Sequence, residues 1–453
     1  MTLTPPQKVH TPGQIHLAGE PMVMHCNHYN RFLQMVVEGC QSIDGVGLQL
    51  QAAQEVVYRQ LSALFSSHPS SPLSERMTYA ENQYAYCGFG HLHFGALPDN
   101  APSEWIVRED YSHYANALQL NRGVRSFPGV LFDLGYCAAA FSAGYNHPYQ
   151  GDILLPNAAL SAGGAQTLFH LHDAPTTQNN LHTHPQPSST ASTPGGNGST
   201  IPPKSSGLHI DENRILEQMM ALPIHGDPDT GIIAAFGVEL TLHYADYYNL
   251  LSFRFEKALN QAIQDSPFLA RTLAAEYPVL AEYKDFGHLR GDFLARTLLT
   301  EAGHICGFRT MGGIMGSPLW NTLILPMLQN KGDWIHGIIA VINSLGWGIW
   351  RVMELIPEQR LILRAWQPYE SLGHLRAFGM ADAPVDHLFA GVATALMNLI
   401  YHVDVTSGLT LDNACYEQAM HSGAHFWARQ TACVAQGSPY SEVIVERGIL
   451  RNW

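Results

Sequence analysis

The stretch CGFGHLHFGALPDNAPSEWIVRED, residues 87–110, has a counterpart about 258 positions later in LGWGIWRVMELIPEQRLILRAW, residues 345–366. Each reads Gly-aromatic-Gly around Phe89 or Trp347, an alternating strand, a Pro-led turn, and a second strand ending in arginine, Arg108 or Arg364. Apolar and polar residues that alternate in this way predict a hairpin with one buried face. A hairpin that recurs at such a distance constrains the chain to two copies of one α+β module. The order of later segments agrees: 128–146 and 385–403 both show helical spacing, and 161–172 and 420–431 both read as a glycine followed by a short strand. Upstream, HCNHYNRFLQ at 25–34 corresponds to YADYYNLLSF at 244–253, with Tyr29 and Asn30 opposite Tyr248 and Asn249. The second copy carries extra material before its hairpin, including the glycine-rich GHICGFRTMGGIMGSP.

Between the copies, residues 173–209 are rich in Pro, Ser, Thr and Gly and nearly free of large apolar side chains. Such a segment cannot bury enough surface to offset its ordering entropy, so a disordered linker is expected. It is expected to continue to about residue 235, with DENRILEQMMAL forming a short helix. The expected division is a first module at 18–172, a linker at 173–235 and a second module at 236–440.

Composition narrows the function. Charged residues make up 14% of the 453 and the formal net charge is -14. The usual charged fraction is about 25%, so large buried cores, a cavity or subunit contacts are expected. Without a Lys/Arg-rich run the electrostatic footprint of a nucleic-acid binder is missing. No apolar segment reaches membrane-spanning length, the N-terminus does not read as a targeting segment, and a soluble cytoplasmic protein is expected. The seven cysteines are scattered without a C-x-x-C pair, which argues for reduced thiols.

The order of elements from the long helix entering GHICGFRTMGGIMGSP, through the hairpin ending at Arg364 and the helix at 385–402, to NACYEQAMHSGAHFWARQT resembles the vinyl-4-reductase-type hydrocarbon-binding domain. That domain occurs in a bacteriochlorophyll biosynthesis protein and in bacterial sensors of aromatic compounds. The resemblance covers most of 240–435 and, through the repeat, 20–172. It implies a twisted antiparallel sheet packed with helices in each module, a tendency to pair, and a small-molecule pocket. The two modules would then form an intramolecular pseudo-dimer, which a flexible linker favours through high effective concentration. Aromatic-sensing members carry a cysteine and glutamate zinc site near the domain end. Here Cys415 and His425 occupy the matching region with His421 between them, and that departure puts a structural zinc in doubt.

Four histidines are candidate metal ligands. His25 and His28 are three apart and would share a helix face, with Tyr29 beside them as a further catalytic candidate. His91 and His93 are two apart and would share a strand face. Zinc or iron is the cofactor such a set admits. The alternative is that Asn27 or Asn30 caps a helix beginning near Arg31 and the histidines are boundary polarity. In the ungapped repeat Tyr244 stands opposite His25, whereas a one-residue gap places His243 there. Tyr29 and Asn30 therefore read as scaffold, and His25, Cys26 and His28 read as peculiar to the first copy, which would carry any chemistry. Glu301 and His304 form an E-x-x-H spacing that di-iron bundles use, although the hairpins do not suit such a bundle.

Phe89, Trp105, Trp347 and Trp350 suit an aromatic pocket wall, and Arg108 and Arg364 could hold a ligand carboxylate or phosphate. The alternative reading is aromatic core and structural ion pairs. Hydrolase, NTPase and dinucleotide signatures are absent. The leading expectation is a tandem protein that binds an apolar or aromatic small molecule as sensor or carrier, either as a homo-oligomer or through a separate effector protein. The rivals are a metal-dependent or acid-base reductase, oxygenase or hydrolase built on His25 and His28, and a structural assembly subunit.

Overall fold

The computed structural model describes residues 3–40, 42–122, 129–174, 209–266, 268, 291–408, 411–412, 414–416 and 425–448. The fold is α+β, with three antiparallel sheets among the described residues. The central sheet is built from β1 (Lys8–Thr11), β2 (Gln14–Leu17), β3 (Glu20–Cys26), β8 (Ile233–Ala235) and β9 (Val238–Tyr244), in the order β1-β2-β3-β9-β8. A second sheet contains β4 (Gly90–His93), β5 (Glu104–Ser112), β6 (Tyr149–Leu154) and β7 (Thr167–Asp173), ordered β4-β5-β7-β6. The third contains β10 (Ile349–Ile356), β11 (Arg360–Trp366), β12 (Phe426–Ala432) and β13 (Ser441–Arg447), ordered β10-β11-β13-β12.

The second and third sheets thus share one strand order. It also corrects the pairing read from the sequence: β12 takes the place of β6, and β7 corresponds to β13, which lies beyond the expected boundary at 440. In the stretch expected to be linker, 175–208 lies outside the described residues. Within 209–235 the expected short helix is α6 (Glu212–Ala221), which is capped by Asp211 and buries Ile215 and Met219, while β8, in the stretch expected to be linker, pairs with β9.

The remaining helices of ten or more described residues are α1 (Asn27–Gly39), α2 (Gly45–Ser67), α3 (Leu73–Tyr86), α4 (His113–Arg122), α5 (Leu131–Tyr145), α7 (Ala245–Asp265), α8 (Gly291–Cys306), α9 (Lys331–Ile342), α10 (Tyr369–Phe378) and α11 (His387–Tyr401). Two of them, α5 and α11, are buried around almost their whole circumference, as helices apolar on all faces must be. Each lies close against a neighbour through a glycine. A Cβ on Gly135 of α5 would stand 2.6 Å from Ala53 Cβ of α2, and one on Gly391 of α11 would stand 2.2 Å from the Thr300 carbonyl of α8.

At the centre, β3 and β9 pair with Met24 opposite Leu242, His25 opposite Thr241 and His243 opposite Val23. Hairpins from the two ends of the chain dock on this pair. The Met24 amide donates to the Leu345 carbonyl at 2.9 Å, and the Leu242 amide donates to the Cys87 carbonyl at 2.8 Å. Beyond each carbonyl the glycines flanking the aromatic residue take positive φ: +85° and +134° at Gly88 and Gly90, +85° and +104° at Gly346 and Gly348. That conformation turns Phe89 and Trp347 inward and explains why glycine brackets both. No helix among the described residues is long and apolar enough to cross a membrane.

Candidate functional site

His25 is the penultimate residue of β3 and is buried in an aromatic enclosure. Its ring stacks on Tyr29 at 4.2 Å between centroids and on Trp347 at 5.3 Å, and meets Tyr248 edge-on at 4.6 Å. Nε2 lies 3.3 Å from Tyr369 Oη, and Nδ1 lies 3.7 Å from Cys306 Sγ. His243, the penultimate residue of β9, has a matching enclosure of Phe89, Phe132, Tyr247 and Tyr248, with Nε2 3.0 Å from Tyr114 Oη. Burial pushes both imidazoles well below the usual histidine range, so both are neutral.

His243, not Tyr244, therefore stands where His25 stands, and a single gap in the repeat is the structural alignment. The reading of His25 as peculiar to the first half is corrected on that ground. Each histidine also takes its partners from across the chain: Trp347 and Tyr369 close around His25, while Phe89 and Tyr114 close around His243. Tyr248 touches both rings and donates from its hydroxyl to Asn30 Oδ1 at 2.5 Å. Asn30 Nδ2 lies 2.9 Å from His113 Nε2 and 3.2 Å from Thr241 Oγ1. Asn30 is thus a buried network residue and not a cap. The helix starts earlier than expected, with Cys26 extended at its N-cap (φ -89°, ψ 161°).

The other candidates scatter. His28 points away from His25 to a cleft, while His91 and His93 neighbour one another on β4, where His93 Nε2 lies 3.0 Å from Asp110. Among the described residues, no three His, Cys, Asp or Glu side chains form a group that could hold a metal ion. Arg108 is half-exposed and paired with Asp110 at 3.0 Å, and Arg364 is paired with Glu442 at 2.7 Å and lies over the Tyr440 ring. Trp105 donates its indole N–H to the Phe94 carbonyl and packs on Phe141, while Trp350 packs on Phe389. In the zinc-matching region Cys415 is partly exposed and His425 buried, and His421 lies outside the described residues.

Glu301 and His304 are brought together by a partner that spacing could not reveal. Tyr416 Oη bonds Glu301 and lies 3.0 Å from His304 Nδ1, and Asn398 Nδ2 lies 3.1 Å from His304 Nε2. Burial raises the Glu301 carboxyl to about 7 and lowers His304 to about 3. The E-x-x-H pair is thus one end of a buried hydrogen-bonded chain in which His304 is neutral and Glu301 keeps its proton below about pH 7.

Beside the His25 enclosure a cleft of about 1030 Å³ opens between the start of α1, the β8–β9 turn and the glycine-rich segment after α8. Phe236, Val238, Met315, Leu319, Trp334 and Leu411 supply apolar wall. Gly316 leaves space open, while Gly312 and Gly313 let Leu411 and the Phe236 carbonyl approach closely, in a stretch with π-helical turns at Gly307–Met311 and Trp320–Ile324. Such turns occur often at functional sites. The polar groups include His28 and Arg309, and none of the described lining residues is Asp or Glu. Burial first, then Arg309 and Arg31, lowers His28 to about 4, so it is neutral at pH 7. Arg309 Nη1 donates to the Leu411 carbonyl at 2.7 Å, which holds the guanidinium at the cleft wall.

Fold and site together define an α+β protein with paired buried histidine enclosures and one large, carboxylate-free cleft among its described pockets. No protein family matches the sequence and no curated protein matches it. Among solved structures the chain is similar to the phenol-responsive sensory domain of the transcription activator PoxR with phenol, at 14% identity and a TM-score of 0.30, over 48% of this chain and 81% of that one.

Proposed function

We propose that the protein binds an apolar or aromatic small molecule with a hydrogen-bond-accepting or anionic end, in the cleft beside His28 and Arg309, as a sensor or carrier. The observation that carries this is the lining: aromatic and aliphatic walls, room at Gly316, and a cationic polar end free of carboxylates. Apolar enclosures with a few convergent polar groups are the usual form of small-molecule sites. The same proposal takes the chain as a tandem of two hydrocarbon-binding-like modules joined as a pseudo-dimer. The shared strand order, the matched Gly135 and Gly391 contacts and the reciprocal hairpin bonds support that part.

Gly316 provides the test. An added Cβ there meets nothing nearer than 3.6 Å, and its φ of -90° suits any residue, so Gly316→Leu fills the cleft without straining the backbone. Titration with the fluorescent apolar anion 1-anilinonaphthalene-8-sulfonate should show binding weakened by about tenfold or more in the variant, in line with the tenfold per 1.4 kcal/mol scale of affinities. Native mass spectrometry of gently purified protein should show a co-purifying apolar molecule in wild type and none in the variant. Equal probe affinity and no co-purifying molecule would remove the proposal.

A further inference from the structure

Cys26 and Cys306 are 280 residues apart in sequence, yet their sulfurs lie 3.9 Å apart in the buried interior. One closes β3 at the N-cap of α1, and the other ends α8 at the entry to the Gly307–Met311 turn. A disulfide needs an S–S distance of about 2.05 Å, so an inward movement of roughly 2 Å shared between two side chains would form one. The surroundings are those of a reacting pair. Burial raises the Cys26 thiol, but hydrogen bonding with Cys306 and Thr310, and after them the first-turn N–H groups of Tyr29 and His28, outweighs it and brings the thiol down to about 7, while burial pushes Cys306 up. A thiol at a helix N-terminus is lowered in this way and is the better nucleophile. Nδ1 of neutral His25 lies 3.7 Å from Cys306 Sγ and can take its proton in the tautomer that carries hydrogen on Nε2. His28 and Arg309, two residues beyond Cys26 and three beyond Cys306, both line the cleft, so the fully buried pair lies close behind its wall.

We infer that Cys26 and Cys306 are a dithiol modification site that a hydroperoxide converts to a reversible disulfide. The Cys26 thiolate attacks one peroxide oxygen; the O–O bond breaks, Cys26 becomes a sulfenic acid and water or an alcohol leaves. Cys306 then attacks that sulfur as His25 takes its proton, and His25 hands the proton to the departing hydroxide, which leaves as a second water while the S–S bond forms. Two thiols lose two electrons and the peroxide gains them. This inference stands apart from the small-molecule reading and does not require it.

Trypsin places the two cysteines in separate peptides, 9–31 and 297–309, each with no other cysteine. Full-length protein treated with hydrogen peroxide, alkylated and digested should yield a 9–31/297–309 cross-linked peptide about 2 Da lighter than its parts, the two hydrogens lost on disulfide formation. The intact protein should lose two of its seven alkylatable thiols, and dithiothreitol should restore them. Cys306→Ser should abolish the cross-link and leave Cys26 open to capture by dimedone as a sulfenic acid. Should that variant fail to fold, the wild-type peptide map decides alone. Both peptides remaining alkylated after peroxide, or a cross-link joining either to another cysteine, would overturn the inference.

Discussion

Met24 faces Leu242 at the centre of the β3–β9 ladder, and each passes its amide to a hairpin from the opposite half of the chain, Met24 to Leu345 and Leu242 to Cys87. One residue further on, His25 and His243 reach across in the same sense, so that each enclosure is composite. The following predictions test the contacts that hold this centre and its surroundings.

Trp347 and Phe89 close the two enclosures from the hairpin side and are both buried. Trp347→Ala and Phe89→Ala should each cost about 3–5 kcal/mol in denaturant unfolding, the usual range for removing a core aromatic ring. Trp347→Ala should be the costlier, because its indole N–H also donates to the Met24 carbonyl at 3.1 Å. A denaturation midpoint unmoved in either variant would mean that the ring is not packed as described.

Gly391→Ala should force α11 from α8, since the new Cβ meets the Thr300 carbonyl at 2.2 Å and backbone cannot give cheaply. Overpacking of this kind costs about 1–3 kcal/mol. Gly316→Ala, with open space around it, should be close to neutral, and thermal melts of the pair give the comparison directly.

His113 is buried, facing Asn30 at 2.9 Å and Glu239 at 3.9 Å, and burial lowers it to about 3. Its folded pKa lies below the unfolded value near 6.5, so its contribution is fully present above pH 6.5 and is lost as pH falls toward 3. The stability difference between wild type and His113→Gln should therefore shrink by ~1.4 kcal/mol per pH unit below 6.5. A difference constant from pH 7.5 to 5 would show that the imidazole becomes protonated in place.

Glu301 has the opposite sign. Its folded pKa, near 7, lies above the unfolded value, so the folded state keeps a proton that the unfolded state releases and stability falls as pH rises from 4.5 to 7. Glu301→Gln lacks that dependence and should gain ~1.4 kcal/mol per pH unit relative to wild type across the window. Urea titrations at pH 5 and 7 suffice to read it.

Asp246, buried at the start of α7, pairs with Arg59 at 2.8 Å and Arg376 at 2.5 Å. Asp246→Asn leaves Arg59 its second partner Glu20 but strips Arg376 of this one, and should cost about 3 kcal/mol, as breaking buried pairs does. High salt screens exposed pairs but reaches buried ones poorly, so wild type should retain most of this difference in 1 M salt.

The sequence carried what is local. Gly-Phe-Gly and Gly-Trp-Gly announce the two hairpins because the positive φ values on either side of the ring demand glycine, and the buried helices at 131–145 and 387–401 announce themselves by unbroken apolar composition. The site did not follow from spacing. His25 and His28 share a helix face only if both are helical, but His25 lies in strand β3, so His28 lines the cleft and His25 does not. Arg108 and Arg364 looked like ligand anchors because their acidic partners, Asp110 and Glu442, are fixed by strand geometry. Tyr416, which joins Glu301 to His304, is 115 residues from Glu301, and no periodicity reports such a meeting. His243 was visible only as a one-residue gap, which the stronger Tyr-Asn match concealed.

The reciprocal hairpin bonds also set the order of events during synthesis. Strand β3 emerges from the ribosome before its own enclosure can close, because Leu345 and Trp347 follow more than three hundred residues later. Until then His25, Met24 and their apolar neighbours lack their native cover. Long sequence separation of this kind slows folding and exposes apolar surface on the way. Until the third sheet arrives, that apolar surface of the first half is open to non-native contacts.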